Sequence, residues 1–310
     1  VGVPGAADAV LVFDPARNAT RAVKTEADFG EGETNCDKWL GAVVLKGKVY
    51  ATPSDADGLL VMDGTGATHR VDSGAGDDNT MSMEEQQWGG ATTNGTAVFA
   101  APHFSSSLLV HVPGHGLHFV ETGHLELGPA KWWGIGMCGG LVCAAPHNAQ
   151  QVLLFDPNSG DVSGVSTLSL SHGLRKWADW VVVGEEAVAA PYDADQVLVF
   201  RWGSKQVLGV DVSYISSGPS KWVGAAALTD TAYFAPSHSA SILAYRDGGV
   251  SALDAPAVAT HMGGGAWAGL VALEGKLYAV PSTADSILVV TPWPRPTAGP
   301  SAVAMAQAAP

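Results

Sequence analysis

Charge, cysteine and long apolar runs are all scarce in this chain. Asp, Glu, Lys and Arg make up 15% of its 310 residues, and 30 acidic side chains outnumber 16 basic ones, for a net charge of −14. Such an acidic surface repels phosphate backbones and excludes nucleic acid as a partner. Three cysteines, Cys36, Cys138 and Cys143, are too few and too odd in number for a disulfide framework. Cys138 and Cys143 flank Gly139-Gly140, and a two-residue turn there sets their Cα atoms diagonally, about 7–8 Å apart. That is long for a bridge, so two small buried residues are expected. No stretch approaches the roughly 20 apolar residues of a membrane span. A helical period, a Gly-x-Ser-x-Gly nucleophile motif, a phosphate-binding loop and a Cys-x-x-Cys pair are likewise missing. The chain opens on Val1-Gly2-Val3, with neither Met nor a basic leader, and reads as trimmed. It carries two N-glycosylation sequons, Asn18-Ala19-Thr20 and Asn94-Gly95-Thr96. Both features are compatible with secretion, and the compartment stays open.

What the chain has is a repeat. Trp39, Trp88, Trp132, Trp177, Trp222 and Trp267 stand 49, 44, 45, 45 and 45 residues apart. Each is followed 14 residues later by a proline: Pro53, Pro102, Pro146, Pro191, Pro236 and Pro281. A period near 45 marks a repeat architecture. Within a repeat, strand A starts at the Trp, as in Gly41–Leu45, and a tight Gly-containing turn such as Lys46-Gly47 follows. Strand B, as in Lys48–Thr52, ends at the Pro, which cannot donate to a ladder. Strand C is an apolar run such as Leu59-Leu60-Val61-Met62, and strand D is more variable. Four short strands per unit of this length describe a propeller blade. The expectation is an all-β, six-bladed β-propeller of four-stranded antiparallel blades. Its single domain covers 1–291, followed by a flexible Pro/Ala-rich tail at 292–310. The last repeat lacks strand D, and residues 17–25 are expected to supply it, closing the ring with strands from both termini.

The Gly-bearing A strand, the Gly-Lys-Val-Tyr turn and B strand, and the Val-Leu-Val-Phe-Asp-Pro C strand resemble β-propeller repeats of the kelch and NHL kind. The resemblance covers residues 1–291. It implies the fold and no particular activity. The kelch double Gly at the end of strand B is replaced by Pro. The acidic metal-ligand pattern of lactonase-type six-bladed propellers has no counterpart at matching positions.

In a propeller the D–A and B–C loops open on one face, so function is expected where the six copies disagree there. Directly after the Pro stand Ser54, His103, His147, Tyr192, Ser237 and Ser282; one residue further stand Asp55, Phe104, Asn148, Asp193, His238 and Thr283. Before the Trp stand Lys38, Gln87, Lys131, Lys176, Lys221 and Ala266, whose cations suit an anionic ligand or lay their stems along a Trp. Two residues after the Trp is Gly in every copy but the fourth, which has Asp179. A carboxylate aimed at a narrow channel is costly unless water, a cation or a donor meets it. The ligand-binding candidates are therefore His103, His147, Tyr192, Asp193, His238, Asp179, Asp55, Lys131, Lys176 and Lys221. His103, His147 and Asp179 are also candidate ligands for a metal ion at the central channel. The function expected first is a propeller that binds a small molecule, a glycan or a protein at this mouth. A lyase or hydrolase with a His/Tyr/Asp group at the same mouth, metal-assisted or not, is the alternative. A structural interaction module without a pocket is the third.

Overall fold

A computed structural model describes residues 1–25, 37–72, 86–254, 265–292 and 302–307. It has two compact units, Val1–Gly164 and Val165–Pro310. The first unit opens with an antiparallel pair, β1 (Ala9–Asp14) and β2 (Ala19–Lys24). Three four-stranded sheets follow in simple up-and-down order. These are β3 (Trp39–Leu45) to β6 (Thr68–Asp72), β7 (Trp88–Thr93) to β10 (Leu117–Glu121), and β11 (Trp132–Cys138) to β14 (Val162–Ser166). In the second unit the sheets are β15 (Trp177–Val183) to β18 (Gln206–Asp211), β19 (Trp222–Leu228) to β22 (Gly249–Asp254), and β23 (Trp267–Leu273) to β26 (Ala302–Gln307). No helix occurs among the described residues. The six sheets are the blades of a six-bladed β-propeller.

The repeat maps onto this plan with little slack. Every A strand begins at its Trp, and every B strand ends at its Pro, directly opposite: Trp39 faces Pro53, Trp132 faces Pro146, Trp222 faces Pro236. Each Trp indole Nε1 donates to the carbonyl 19 residues on, at the start of strand C, as from Trp132 to Gln151 O at 2.8 Å. The rings are almost fully buried and close the blade interfaces within each unit: Trp88 packs with Leu45, Tyr50 and Leu59, and Trp222 with Val188, Val197 and Phe234. They are therefore interface residues with their one donor satisfied.

Just after each Trp the register slips. Trp39 pairs with Pro53 but Ala42 pairs with Ala51, so strand A carries one extra residue, and blades two to five repeat the slip. A β-bulge of this kind bends the strand and re-aims side chains. It is where the first two residues after the Trp lie, and it brings backbones of neighbouring blades together: a Cβ on Gly41 would stand 2.6 Å from Gly90 Cα.

Two expectations need correction. The fourth strand of the last blade is β26, from 302–307, not residues 17–25. Residues 19–24 pair instead with β1 across a short turn, residues 15–18, which costs far less loop entropy than a long-range pairing. So part of the 292–310 tail is a strand; 293–301 and 308–310 lie outside the described residues. The second correction concerns Cys138 and Cys143, which form a disulfide with Cα atoms 6.0 Å apart. They are diagonal neighbours as expected, but Gly139 (φ 60°) and Gly140 (φ 98°) both take positive φ. Such a turn matches the right-handed twist of the hairpin, which shortens this diagonal to bridging distance. Cys36 lies outside the described residues.

Candidate functional site

The residue after each Pro is held by the backbone before any side chain is considered. Its N–H donates to the carbonyl of the residue preceding the Trp, as from His103 N to Gln87 O at 3.0 Å and from His147 N to Lys131 O at 2.8 Å. Its own carbonyl accepts from the next blade: Gln87 N donates to Ser54 O at 3.0 Å, and Lys131 N to His103 O at 2.9 Å. The post-proline residues of adjacent blades are thus laced side by side, and what differs among them is the side chain.

In the first unit those side chains are Ser54, His103 and His147, all buried. The two imidazoles lie 5.8 Å apart between ring centres. Trp133, the first bulge residue of the third blade, contacts both edge-on, 5.3 Å from His103 and 4.9 Å from His147. Phe104 closes on His103 at 5.0 Å. Ser54 Oγ is buried without a hydrogen-bond partner among the described residues, and the two buried ring nitrogens of His103 have at most one poorly aligned bond, to the Gln86 backbone. Buried polar groups are nearly always paired, because an unmade bond costs about 1–3 kcal/mol. Burial drives the His103 pKa down to about 3, helped by the neighbouring His147 and to a lesser degree by Lys131, and opposed by a hydrogen bond to the Gln86 backbone. His103 is therefore a neutral imidazole at physiological pH, carrying one N–H and one lone pair.

Lys131 lies beside this cluster and is itself spent. Its Nζ donates to the carbonyls of His103 (3.2 Å), Phe104 (3.1 Å) and Gly128 (3.1 Å), which accounts for its three donors. Burial lowers its pKa, against the pull of Glu126 and Glu121. Lys131→Met removes a buried cation but strands three carbonyls. It is expected to cost about 2 kcal/mol in urea unfolding, whereas a lysine held for an anion would leave stability unchanged. Lys176 and Lys221 repeat the pattern in the second unit, donating to Gly173 O at 3.1 Å and Gly218 O at 3.0 Å; Lys221 also lies 3.9 Å from Asp195. Asp55 and Asp193 serve the backbone too. Their carboxylates accept from the N–H two residues before the next Trp, at Gln86 (2.5 Å) and Ser220 (2.7 Å), both in left-handed conformation. Asp193 additionally pairs with Arg175 at 2.9 Å, and that guanidinium lies 5.7 Å from the half-buried Tyr192 ring. His238 is exposed, with Nδ1 against Ser220 O at 3.2 Å.

Asp179 is the second bulge residue of the fourth blade. Its carboxylate accepts from Trp180 N at 2.9 Å and, across to the next blade, from Ala225 N at 3.2 Å. Desolvation raises its pKa to about 6 in spite of those two donors. Among the described residues no three His, Cys, Asp or Glu side chains gather as metal ligands.

The structure thus brings His103 and His147 together and adds Trp133, while Ser54, also outside the candidate set, is buried and linked to the second blade through its carbonyl. Trp133 was detectable by comparing copies: the other first bulge residues are Leu40, Gly89, Ala178, Val223 and Ala268. Ser54 carried no such signal, because Ser also stands at positions 237 and 282.

No protein-family model matches the sequence, and no curated protein matches it. Solved structures do match in fold. A streptogramin B lyase structure superposes with a TM-score of 0.69 at 10% identity, covering 88% of this chain and 84% of that one. Virginiamycin B lyase from Staphylococcus aureus gives 0.65 at 11% identity, with 82% and 81% covered. The WD40 repeats of RRP9 give 0.59 at 10% identity, with 82% and 76% covered.

Proposed function

We propose that the chain is a ligand-binding β-propeller whose binding group in the first unit is Ser54, His103, Trp133 and His147. The observation that carries this reading is a buried polar group, Ser54 Oγ and the two His103 ring nitrogens, with three atoms to satisfy and at most the Gln86 backbone to do so. A bound molecule with both donors and acceptors would satisfy them and offset the cost of burying them. The same geometry argues for a neutral ligand. Lys131 has no donor left for an anion, and His103 stays uncharged until far below physiological pH. The aromatic rings of Trp133 and Phe104 beside His103 suit a ligand with an apolar face, such as a sugar ring or a planar amide. The test is a panel of monosaccharides and planar carboxamides, read by the imidazole resonances of His103 in NMR. Compounds that bind should shift those resonances, lose at least tenfold in affinity in His103→Ala, and bind His238→Ala normally. Equal binding to His103→Ala, or no compound moving His103, would overturn the reading.

A second reading, an enzyme, is favoured by Asp179. It is the only titratable side chain among the six equivalent bulge positions, and its pKa near 6 suits proton transfer close to neutrality. His103, at about 3, is too weak a base for that task. Two structures of similar fold are lyases, and a third is a catalytically inactive His-to-Ala variant of virginiamycin B lyase with quinupristin. Turnover of quinupristin by this chain, abolished in Asp179→Asn, would establish the enzyme reading.

A further inference from the structure

We propose that Asn18 and Asn94 carry N-linked glycans and that the chain folds in an oxidising secretory compartment, with both glycans on the edge of the first unit opposite its His103 group. The placement follows from topology. In an up-and-down blade the A–B and C–D turns share one edge, while the B–C and D–A connections share the other. Asn94 is in the A–B turn between β7 and β8 (Val98–Pro102), and His103 is in the B–C connection of the same blade. Asn18 ends the turn between β1 and β2. The Arg21 guanidinium, near that end of β2, approaches the position a Gly66 Cβ would take to 3.4 Å, so this turn lies beside the C–D turn of the first blade.

Local chemistry favours both acceptors. Asn18, Asn94 and Thr96 are exposed. Asn94 Oδ1 accepts from Thr96 N (3.0 Å), Thr96 Oγ1 (2.8 Å) and Ala97 N (2.8 Å), which turns its Nδ2 away from the chain. Around the turn glycine Gly95 an added Cβ would meet nothing within 4 Å. In the transfer, Asn Nδ2 forms a bond to the anomeric carbon of a lipid-linked oligosaccharide diphosphate. The bond from that carbon to the diphosphate oxygen breaks, the leaving diphosphate keeps the electron pair, and Nδ2 gives up one proton. The Cys138–Cys143 disulfide is an independent sign of the same compartment. Its formation removes two electrons and two protons from the thiols, which pass to the disulfide of an exchange partner.

The test is secretion of the full chain from a eukaryotic host, followed by peptide mapping with and without peptide N-glycosidase. Both asparagines should be converted to Asp by the glycosidase, Cys138 and Cys143 should appear in one linked peptide, and Thr96→Ala should lose one glycan without a change in melting temperature. Unmodified Asn18 and Asn94 in the secreted protein, or free thiols at Cys138 and Cys143, would overturn the proposal.

Discussion

Gly224→Ala should be among the most damaging single-methyl changes in the chain, with an expected loss of roughly 3–5 kcal/mol. Two costs coincide there. Gly224 has φ +85°, which an L side chain rarely adopts, and an added Cβ would stand 2.8 Å from Gly269 Cα and C and 2.9 Å from Leu270 N. All three atoms are backbone, so no side chain can swing aside. The two costs can be measured apart at other glycines. At Gly47 the φ is +76° with nothing within 4 Å, so Gly47→Ala should cost only the strain, about 1–2 kcal/mol. Gly41 has the contact without positive φ, against Gly90 Cα at 2.6 Å and Ala91 N at 2.7 Å; overpacking there should cost about 1–3 kcal/mol. Each figure is net of roughly 0.4–1 kcal/mol that Ala returns by stiffening the unfolded chain. At about 2–4 °C per kcal/mol, Gly224→Ala should lower the melting temperature by around 10 °C, and Gly47→Ala by a few degrees. Equal losses at Gly224 and Gly47 would show that the close approach of the two bulges is not what fixes Gly at this position.

These glycines also show which features could be read from the sequence. Trp, Gly, turn and Pro recur at fixed spacing because each blade must solve the same problem: bury an indole, cross closely beside its neighbour, reverse, and end without a donor. Repetition made that scaffold legible six times over. The strand completing the last blade was not legible, because Ala302–Gln307 does not alternate polar with apolar residues, and only pairing with Ser286–Thr291 defines it. The lysines before the Trp were visible, but their targets were not. A sequence places the Lys131 stem beside Trp132, whereas its ammonium reaches three carbonyls in two separate connections, His103 and Phe104 in one and Gly128 in the other. For the candidate site, the rule that function lies where copies disagree found His103, His147 and Asp179. It also selected Asp55 and Asp193, whose carboxylates tie one blade's loop to the next. Disagreement between copies marks a local difference in chemistry, and only burial and hydrogen bonding separate a staple from an unpartnered group.

Asp179 is where that separation has the clearest pH signature. Its folded pKa, about 6, stands above the unfolded value of 3.8. Below pH 3.8 both states are protonated and the residue is neutral toward stability. Between 3.8 and about 6 the unfolded chain releases its proton while the folded chain retains it, so stability falls as pH rises. Above 6 the penalty is constant. A shift of about two pKa units corresponds to at most roughly 3 kcal/mol, and partial solvent access brings the expectation to about 1–3 kcal/mol. Asp179→Asn removes the ionisation at every pH. Its stability relative to the parent should therefore climb by that amount from pH 4 to pH 6.5 and stay level to pH 8, as read by urea unfolding. The slope carries the test, since an Asn amide facing Ala225 N–H adds an offset that does not depend on pH. A flat difference would mean that Asp179 ionises normally and that the two backbone donors fully replace its water. A climbing one identifies the position as a stored cost, carried in one blade where the other five have glycine. A site that needs a proton acceptor near pH 6 would account for that cost, and a scaffold alone would not. Asp179→Gly, which restores the residue of the other blades, should then raise stability at pH 7 and remove whatever activity depends on that proton.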